Sequence, residues 1–158
     1  MAGKTNDVAG GRWPVAGKTN DVAGGRWPVA RKEENMTASV KSFEDLEVWR
    51  LAMDLVPDAY KLTQHLPKHE LFGLTGQIRR AAVSVSANIA EGQARHYTKE
   101  FLHHLSVARG SLAELFTLIL VAERLSYLSS QEKQELLEKI AHVRMLLSGL
   151  IKSLNNRS

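Results

Sequence analysis

Carboxylate and imidazole side chains between residues 91 and 114 have types and spacings that could support metal or acid–base chemistry. Glu100 and His103 form a Glu-x-x-His pair, which is the spacing that holds the metals of di-iron helical bundles. Such a centre needs two of these pairs and two further inward glutamates. The chain supplies one pair, and Lys99 beside it disfavours a bound cation. We therefore predict no metal site and no cofactor.

A second set of polar residues falls within or beside apolar stretches, where buried polar groups need hydrogen-bond partners. We predict that these residues form a structural polar network, with Arg79 or Arg80 supplying the positive charge, that fixes helix register or a subunit contact. Glutamates without a nucleophile are weak support for acid–base catalysis. The predicted network consists of Gln77, Asn88, Glu91 and Glu114.

Five basic residues lie on the predicted second helix, on the loop after it and on the third helix. If folding brings them together, they could contact the phosphates of RNA or DNA, and binding would weaken steeply with salt. The alternative is a solvated face together with ion pairs between subunits. The five residues are Arg79, Arg80, Arg95, Lys99 and Arg109.

Residues 1–35 form a tail that contains a tandem repeat. Residues 2–15 read AGKTNDVAGGRWPV, and residues 16–29 repeat them at every position. Ordering one copy costs roughly 14–28 kcal/mol of backbone entropy, whereas burying its two valines and one tryptophan returns about 4–9 kcal/mol. We predict a disordered tail at 1–35 and a linker at 36–41. We further hypothesise that translation starts at Met36 and that the tail is an upstream extension.

One motif in the tail has the residue types of a phosphate-binding loop. Gly17-Lys18-Thr19 resembles the end of such a loop, but five residues separate Gly11 from Gly17 where the motif requires four. The chain also has no cysteine to act as a nucleophile. We predict no catalytic residue and interpret the protein as a non-enzyme.

The composition bounds the compartment and the partners. The absence of cysteine fits a reducing cytosol, no apolar run approaches the roughly 20 residues that span a bilayer, and the polar N-terminus lacks a secretory signal. We predict a cytoplasmic protein that does not enter a membrane. The net charge is +4, but residues 36–158 hold 15 basic and 13 acidic residues. That balance is weak for a dedicated nucleic-acid-binding domain.

Hydrophobic periodicity predicts two helices in the first half of the remaining chain. The first, at residues 43–65, contains Pro57, which should kink or divide it near Val56. The second, at residues 71–91, is expected to stop at Gly92. The expected apolar stripes are Leu46, Trp49, Met53, Val56 and Tyr60 in the first helix, and Leu74, Ile78, Ala81, Ala82, Val85 and Ile89 in the second.

Two further helices are predicted at residues 98–125 and 130–154, where apolar residues alternate at spacings of four and three. Ser129 and Glu132 form a capping box before the last helix, and Ser42 is placed similarly before the first. The expected seams are Phe101, Leu105, Ala108, Leu112, Leu115, Ile119 and Ala122, and then Leu136, Ile140, Val143, Leu147, Leu150 and Leu154.

Short connections predict an antiparallel, up-down-up-down four-helix bundle at residues 42–155, in an all-α chain. Residues 112–122 carry more apolar surface than one bundle stripe requires. We predict that another copy of the chain covers the excess. The alternative is that loops fold over this stretch within one bundle.

Several blocks of sequence resemble those of a bacterial four-helix-bundle family named for 23S rRNA intervening-sequence proteins. The accessory variability protein of diversity-generating retroelements is related to that family. The resemblance covers residues 42–154, and its blocks occur in the family's order. They are SFEDL at 42–46, VW at 48–49, ELFGLT at 70–75, QIRRAA at 77–82, ANIAEG at 87–92, KEF at 99–101 and GSLAE at 110–114.

The resemblance implies a barrel-shaped homopentamer of four-helix bundles. It also implies that retroelement relatives bind nucleic acid and a reverse transcriptase through a strongly basic surface, which the weak charge of residues 36–158 does not match. We therefore predict a non-enzymatic, cytoplasmic, pentameric scaffold or adaptor. The alternative is an RNA- or DNA-binding accessory factor linked to ribosomal RNA or to a retroelement.

Overall fold

The computed structural model describes residues 42–156, which fold into four long helices. The prediction of an all-α four-helix protein is confirmed. The predicted tail at 1–35 and linker at 36–41 lie outside the described residues. Residues 42–156 contain no strand, and their helices are α1 at Glu47–Leu62, α2 at Leu74–Gln93, α3 at Thr98–Arg124 and α4 at Ser130–Asn155, with short 3-10 turns at Phe43–Asp45, Thr63–His65 and Lys68–Glu70.

Helix α1 buries a different face from the predicted one. Of the predicted stripe of large side chains, Leu46 is buried and Trp49 and Val56 are half-buried, but Met53 and Tyr60 are exposed. The large residues indicated the wrong face because alanines, which add little to a hydrophobic pattern, carry part of the core. The helix also continues through Pro57 without dividing at Val56. The buried face consists of Val48, Ala52, Leu55, Ala59 and Leu62.

Helix α2 buries every residue of its predicted stripe, but its ends differ from the prediction. It begins at Leu74 rather than at residue 71, because Glu70 caps it by accepting a hydrogen bond from the Leu74 backbone nitrogen at 3.0 Å. It continues past Gly92 to Gln93, so Gly92 does not stop it. Gly92 is buried instead against α3, where an added Cβ would lie 2.7 Å from the Cβ of His104. The glycine is required for helix packing, not for a turn.

Helices α3 and α4 match their predicted seams closely. Of the predicted seam residues, Phe101 and Leu154 are half-buried and the others are buried. Ser129 and Glu132 form the predicted capping box at the start of α4. The box at Ser42 is also present, but it caps the 3-10 turn before α1 rather than α1 itself.

The most extensive contact between helices is that of α2 with α3. Ser84 of α2 meets Ser111 of α3, and Asn88, one turn further along α2, meets His104, which lies earlier in α3. The two helices therefore run in opposite directions.

Helices α1 and α4 are neighbours too, and their contacts also run in opposite directions. Lys139 pairs with Asp58, and His65 Nδ1 lies 2.6 Å from Glu132 Oε1. The up-down-up-down order of all four helices stays a prediction. At one end of the bundle, the Tyr127 hydroxyl lies 3.4 Å from a carboxylate oxygen of Glu70. We call this end, which carries residues 63–73 and 125–129, the upper end.

Among the described helices, α3 alone is long and apolar enough to cross a membrane by length and composition. Half of its most apolar stretch is buried among the other helices. A core helix of a bundle has this pattern without any contact with lipid.

Candidate functional site

A chain of polar side chains joins α2 to α3 along their shared seam. The hydroxyl oxygens of Ser84 and Ser111 lie 2.8 Å apart. The amide nitrogen of Asn88 donates to the carbonyl oxygen of Ser84 at 2.8 Å and to its hydroxyl at 3.1 Å. The side-chain oxygen of Asn88 lies 3.3 Å from Nδ1 of His104. An amide oxygen only accepts hydrogen bonds, so Nδ1 carries the proton in this contact.

The network extends towards the connection between α2 and α3. Glu91 accepts a hydrogen bond from Arg95 at 2.5 Å, and its carboxylate lies 3.8 Å from Nε2 of His104. Asn88 and Glu91 therefore belong to one network. Its positive charge comes from Arg95, which lies one helical turn after Glu91, and not from the predicted Arg79 or Arg80. Arg79 contacts Thr63 and Tyr60 instead. The network as a whole couples the register of the two helices.

Two members of the predicted network lie elsewhere. Gln77 and Glu114 are both exposed, on α2 and α3 respectively, and neither joins this chain of contacts. Ser84, Ser111 and His104 were missed because their partners depend on the register between helices. The one available signal was the i,i+4 spacing of Ser84 and Asn88.

The predicted basic residues separate into distinct groups. Arg79 and Arg80 lie near the upper end, with the Arg79 guanidinium 4.6 Å from the centre of the Tyr60 ring and its Nε donating to the Thr63 hydroxyl at 2.9 Å. Arg95 follows α2, so about 16 residues of helical rise, roughly 24 Å, separate it from Arg79.

The remaining two predicted basic residues, Lys99 and Arg109, are exposed on α3. Lys99 begins that helix close to Arg95 in the chain, and Arg109 lies about 15 Å further along it at the usual helical rise. The five basic residues are therefore spread along the bundle, and Arg79 and Arg80 are the pair that share a concave surface.

That concave surface is a shallow pocket between α1 and α2 with a volume of about 310 Å³. We call it the Tyr60 pocket. The exposed guanidinium of Arg80 and the aromatic face of Tyr60 give it one charged and one stacking group. Its lining residues are Tyr60, Arg79, Arg80, Val83 and Ser84.

The outward face of α3 carries apolar and small residues opposite its buried seam. Val107 is 40% exposed and Val121 is 38% exposed. Between them lies Gly110, where an added Cβ would meet no atom within 4 Å. We call this face the α3 outer stripe; it consists of Val107, Gly110, Glu114, Thr117 and Val121.

A second exposed apolar feature lies at the upper end. Phe72 is 95% exposed, and Leu71 beside it is about half exposed. Both precede the first turn of α2. A side chain of this size that is almost fully exposed in an ordered turn gains nothing from burial within its own chain.

Ion pairs fasten the upper end of the bundle. Lys133 of α4 is buried and pairs with Glu123 of α3. Hydrogen bonds from the side chain and the backbone nitrogen of Ser129 lower the pKa of Glu132. Burial lowers the pKa of Arg144 on α4. The pairs of Lys133 with Glu123 and of Glu132 with His65 join α4 to neighbouring elements at the upper end.

The Glu-x-x-His pair lies on an exposed turn of α3, with both Glu100 and His103 accessible. Within residues 42–156, no group of three or more His, Cys, Asp or Glu side chains is placed to hold a metal ion. The absence of a metal site stays a prediction for the chain as a whole.

The known proteins that resemble this chain match it over the four-helix bundle. The model of a family described as 23S rRNA-intervening sequence protein matches residues 44–149. A crystal structure from Bacteroides thetaiotaomicron, described as a protein with unknown function from the S23 ribosomal protein family, matches with a TM-score of 0.62 and 21% identity. The match covers 66% of this chain and 95% of that one. At this identity the likeness shows the fold alone. No curated protein matches the chain.

Proposed function

The chain belongs to the 23S rRNA-intervening sequence protein family, and from that premise we propose that it acts as a homo-oligomeric scaffold or adaptor without enzyme activity. We propose five subunits in each assembly, which is the number that the family resemblance implies. The α3 outer stripe is the proposed contact surface between copies.

The position of Gly110 between the exposed Val107 and Val121 is the observation that carries this proposal. A glycine inside a helix costs about 1 kcal/mol relative to alanine, and it is retained where another group approaches closely. Within the described chain, nothing lies within 4 Å of the position of its absent Cβ. The exposed valines on either side, Val107 and Val121, give the approaching surface apolar area to bury. A second copy of the chain explains both features.

The polar network supports a scaffold rather than an enzyme. Asn88 and His104 are hydrogen-bonded to each other, and Asn88 also donates a hydrogen bond to Ser84. Groups that satisfy one another hold two helices in register, whereas a catalytic centre needs a cleft in which a substrate meets them.

The proposal is tested by light scattering with in-line chromatography on the full chain and on Gly110→Gln. The wild type is expected at five times the chain mass of 17.6 kDa. Gln favours helix over Gly, so the variant should keep its fold, but its long side chain blocks close approach and should shift the mass towards the monomer.

Gly149→Gln on α4 is the matched control, because Gly149 is also an exposed helical glycine with open space around it. Open space alone therefore does not mark a contact, and what distinguishes Gly110 is its place between two exposed valines, which Gly149 lacks. The Gly149→Gln variant should keep the wild-type mass. A monomeric wild type would reject self-association. A Gly110→Gln variant with the wild-type mass would reject the α3 outer stripe as the contact.

The Tyr60 pocket favours a second candidate function, which is RNA or DNA binding. An aromatic face beside guanidinium groups suits a stacked base with its phosphate. A titration with structured RNA at two salt concentrations tests it, comparing the wild type with Arg80→Gln and with Arg109→Gln as a control outside the pocket. Affinity should fall with salt, with a smaller slope for Arg80→Gln. No binding at low salt would contradict this candidate.

A further inference from the structure

The turn before α2 holds its exposed aromatic side chain in a fixed place. Glu70 accepts a hydrogen bond from the Leu74 backbone at 3.0 Å and lies 3.4 Å from the Tyr127 hydroxyl. Gly73 fits tightly against the same carboxylate, since an added Cβ would lie 2.6 Å from a Glu70 oxygen. Phe72 therefore projects from a braced turn, and it loses little further freedom when it binds a partner.

The Tyr60 pocket has the size and chemistry to receive one aromatic side chain. Its volume is about 310 Å³, which is at the small end of binding pockets. Val83 and Tyr60 supply apolar contact, and the exposed guanidinium of Arg80 can lie against the face of an aromatic ring. Arg79 already stacks on Tyr60 in this way.

The two features belong to the same chain but do not meet within it, because Phe72 is 95% exposed. Both lie near the upper end, and Arg80 is about 9 Å from the start of α2 at the usual helical rise. If copies form a ring with their bundles parallel to the ring axis, they all lie at the same level along that axis. Phe72 of one copy is then at nearly the same level as the Tyr60 pocket of the next copy. Such head-to-tail contacts are the kind that close into rings.

We propose that Phe72 of each copy fills the Tyr60 pocket of the neighbouring copy. The occupant is thus a second copy of this chain, and the guanidinium of Arg80 meets the π face of Phe72. The inference rests on the proposed self-association and names a contact additional to the α3 outer stripe.

Crosslinking tests the contact, because the chain has no cysteine of its own. Two single variants of the full chain, Leu71→Cys and Val83→Cys, are mixed and treated with a short bismaleimide. A covalent 71–83 product between two chains is expected from the mixture and not from either variant alone. Tyr97→Cys mixed with Val83→Cys is the control, because Tyr97 is also exposed but lies in the connection after α2. It should give no product.

Truncation of Phe72 measures how much its aromatic side chain contributes to assembly. Phe72→Ala should raise the midpoint concentration for dissociation of the oligomer by at least tenfold, and Phe72→Leu by less. Tyr97→Ala, which removes an exposed aromatic side chain elsewhere, should leave the midpoint unchanged.

The possible results distinguish a failure of the Phe72 contact from a failure of the proposed self-association. A monomeric wild type would reject the proposed self-association itself. An oligomeric mass without the 71–83 product would overturn the Phe72 contact alone. A product that forms only after nuclease treatment would overturn it in favour of nucleic acid in the pocket. A product between Val29→Cys and Val83→Cys in place of 71–83 would overturn it in favour of the N-terminal segment.

Discussion

Two helical glycines differ in whether contacts within the chain account for them. At Gly92 an added Cβ would lie 2.7 Å from the Cβ of His104 and 2.8 Å from the ring of Phe101. At Gly110 the same construction meets no atom within 4 Å. The first glycine is required by the packing of α2 on α3. The second has no reason within the described chain, and its reason is expected in a neighbouring copy.

The same contrast extends to the polar groups. On the inner seam, Asn88 and His104 find partners across the helix pair. On the outer side, Glu114 lies exposed in the middle of the α3 outer stripe. Variants on the inner side should therefore change the stability of the fold, whereas variants on the outer side should change assembly.

The largest expected effect on stability is at the ion pair of the upper end in which Lys133 is buried and Glu123 is half-buried. Glu123→Gln removes the charge that compensates the ammonium of Lys133, and losing one partner of such a pair costs up to about 3 kcal/mol. The free energy of unfolding, from urea denaturation, should fall by that amount. Lys139→Ala is the control, because its pair with Asp58 is more exposed and should contribute less than about 1 kcal/mol. Equal losses at the two sites would contradict this assignment.

The next largest effect is expected at Gly92. Gly92→Ala places a methyl group against His104 and Phe101, and overpacking of this kind costs about 1–3 kcal/mol. Urea denaturation should show a lower midpoint despite the better helix propensity of alanine. A variant as stable as the wild type would show that α2 and α3 can separate at little cost, and that their packing does not require a glycine at position 92.

A smaller effect is expected at the start of α4, with a characteristic pH dependence. Ser129→Ala removes the cap of this helix and should cost about 1 kcal/mol. Because the folded-state pKa of Glu132 is lowered, its contribution is present above the pKa of the unfolded state and is lost as the pH falls through the folded value.

Ser129→Ala removes the side-chain hydrogen bond that contributes most to the lowered pKa of Glu132. The Glu132 pKa should therefore rise towards its ordinary value. Carbon-detected NMR titration of the Glu132 carboxyl measures the pKa directly. Denaturation at pH 6 and at pH 3 should show a smaller difference between variant and wild type at the lower pH. An equal difference at both values would contradict the coupling of Ser129 to Glu132.

The smallest effect, and one of opposite sign, is expected at Gly110. Gly110→Ala should raise the unfolding free energy of the isolated bundle by up to about 1 kcal/mol, because alanine favours helix and no atom obstructs its Cβ. Measured at a protein concentration low enough to dissociate any oligomer, this gain isolates the intrinsic propensity. A loss of stability in the dissociated chain would show that Gly110 serves the fold after all.

Periodicity of the sequence sufficed for the helices whose core residues are large. The seam of α3 contains Leu105, Leu112 and Leu115, all fully buried, and its spacing alone identified it. In α1 the pattern failed, because Ala52 and Ala59 are buried while the larger Met53 and Tyr60 are exposed. Hydrophobicity ranks these residues in the opposite order from their burial.

The candidate sites could be predicted only in part, because they depend on how helices align. Asn88 and Glu91 were identified from their place beside apolar residues, but their link to His104 requires the antiparallel register of α2 and α3. Gly92 was interpreted as a helix stop, since glycine commonly ends helices, whereas its role is visible only with α3 beside it. The pairing of Arg79 with Tyr60 likewise joins two helices.

If the outward features of this bundle serve contacts between copies, the mass of the unmodified full chain in solution should reveal them. Light scattering is recorded at a series of protein concentrations, of which the lowest is micromolar. Self-association predicts a plateau at five times the 17.6 kDa chain mass, with dissociation only on dilution. A mass of one chain at every concentration would contradict it.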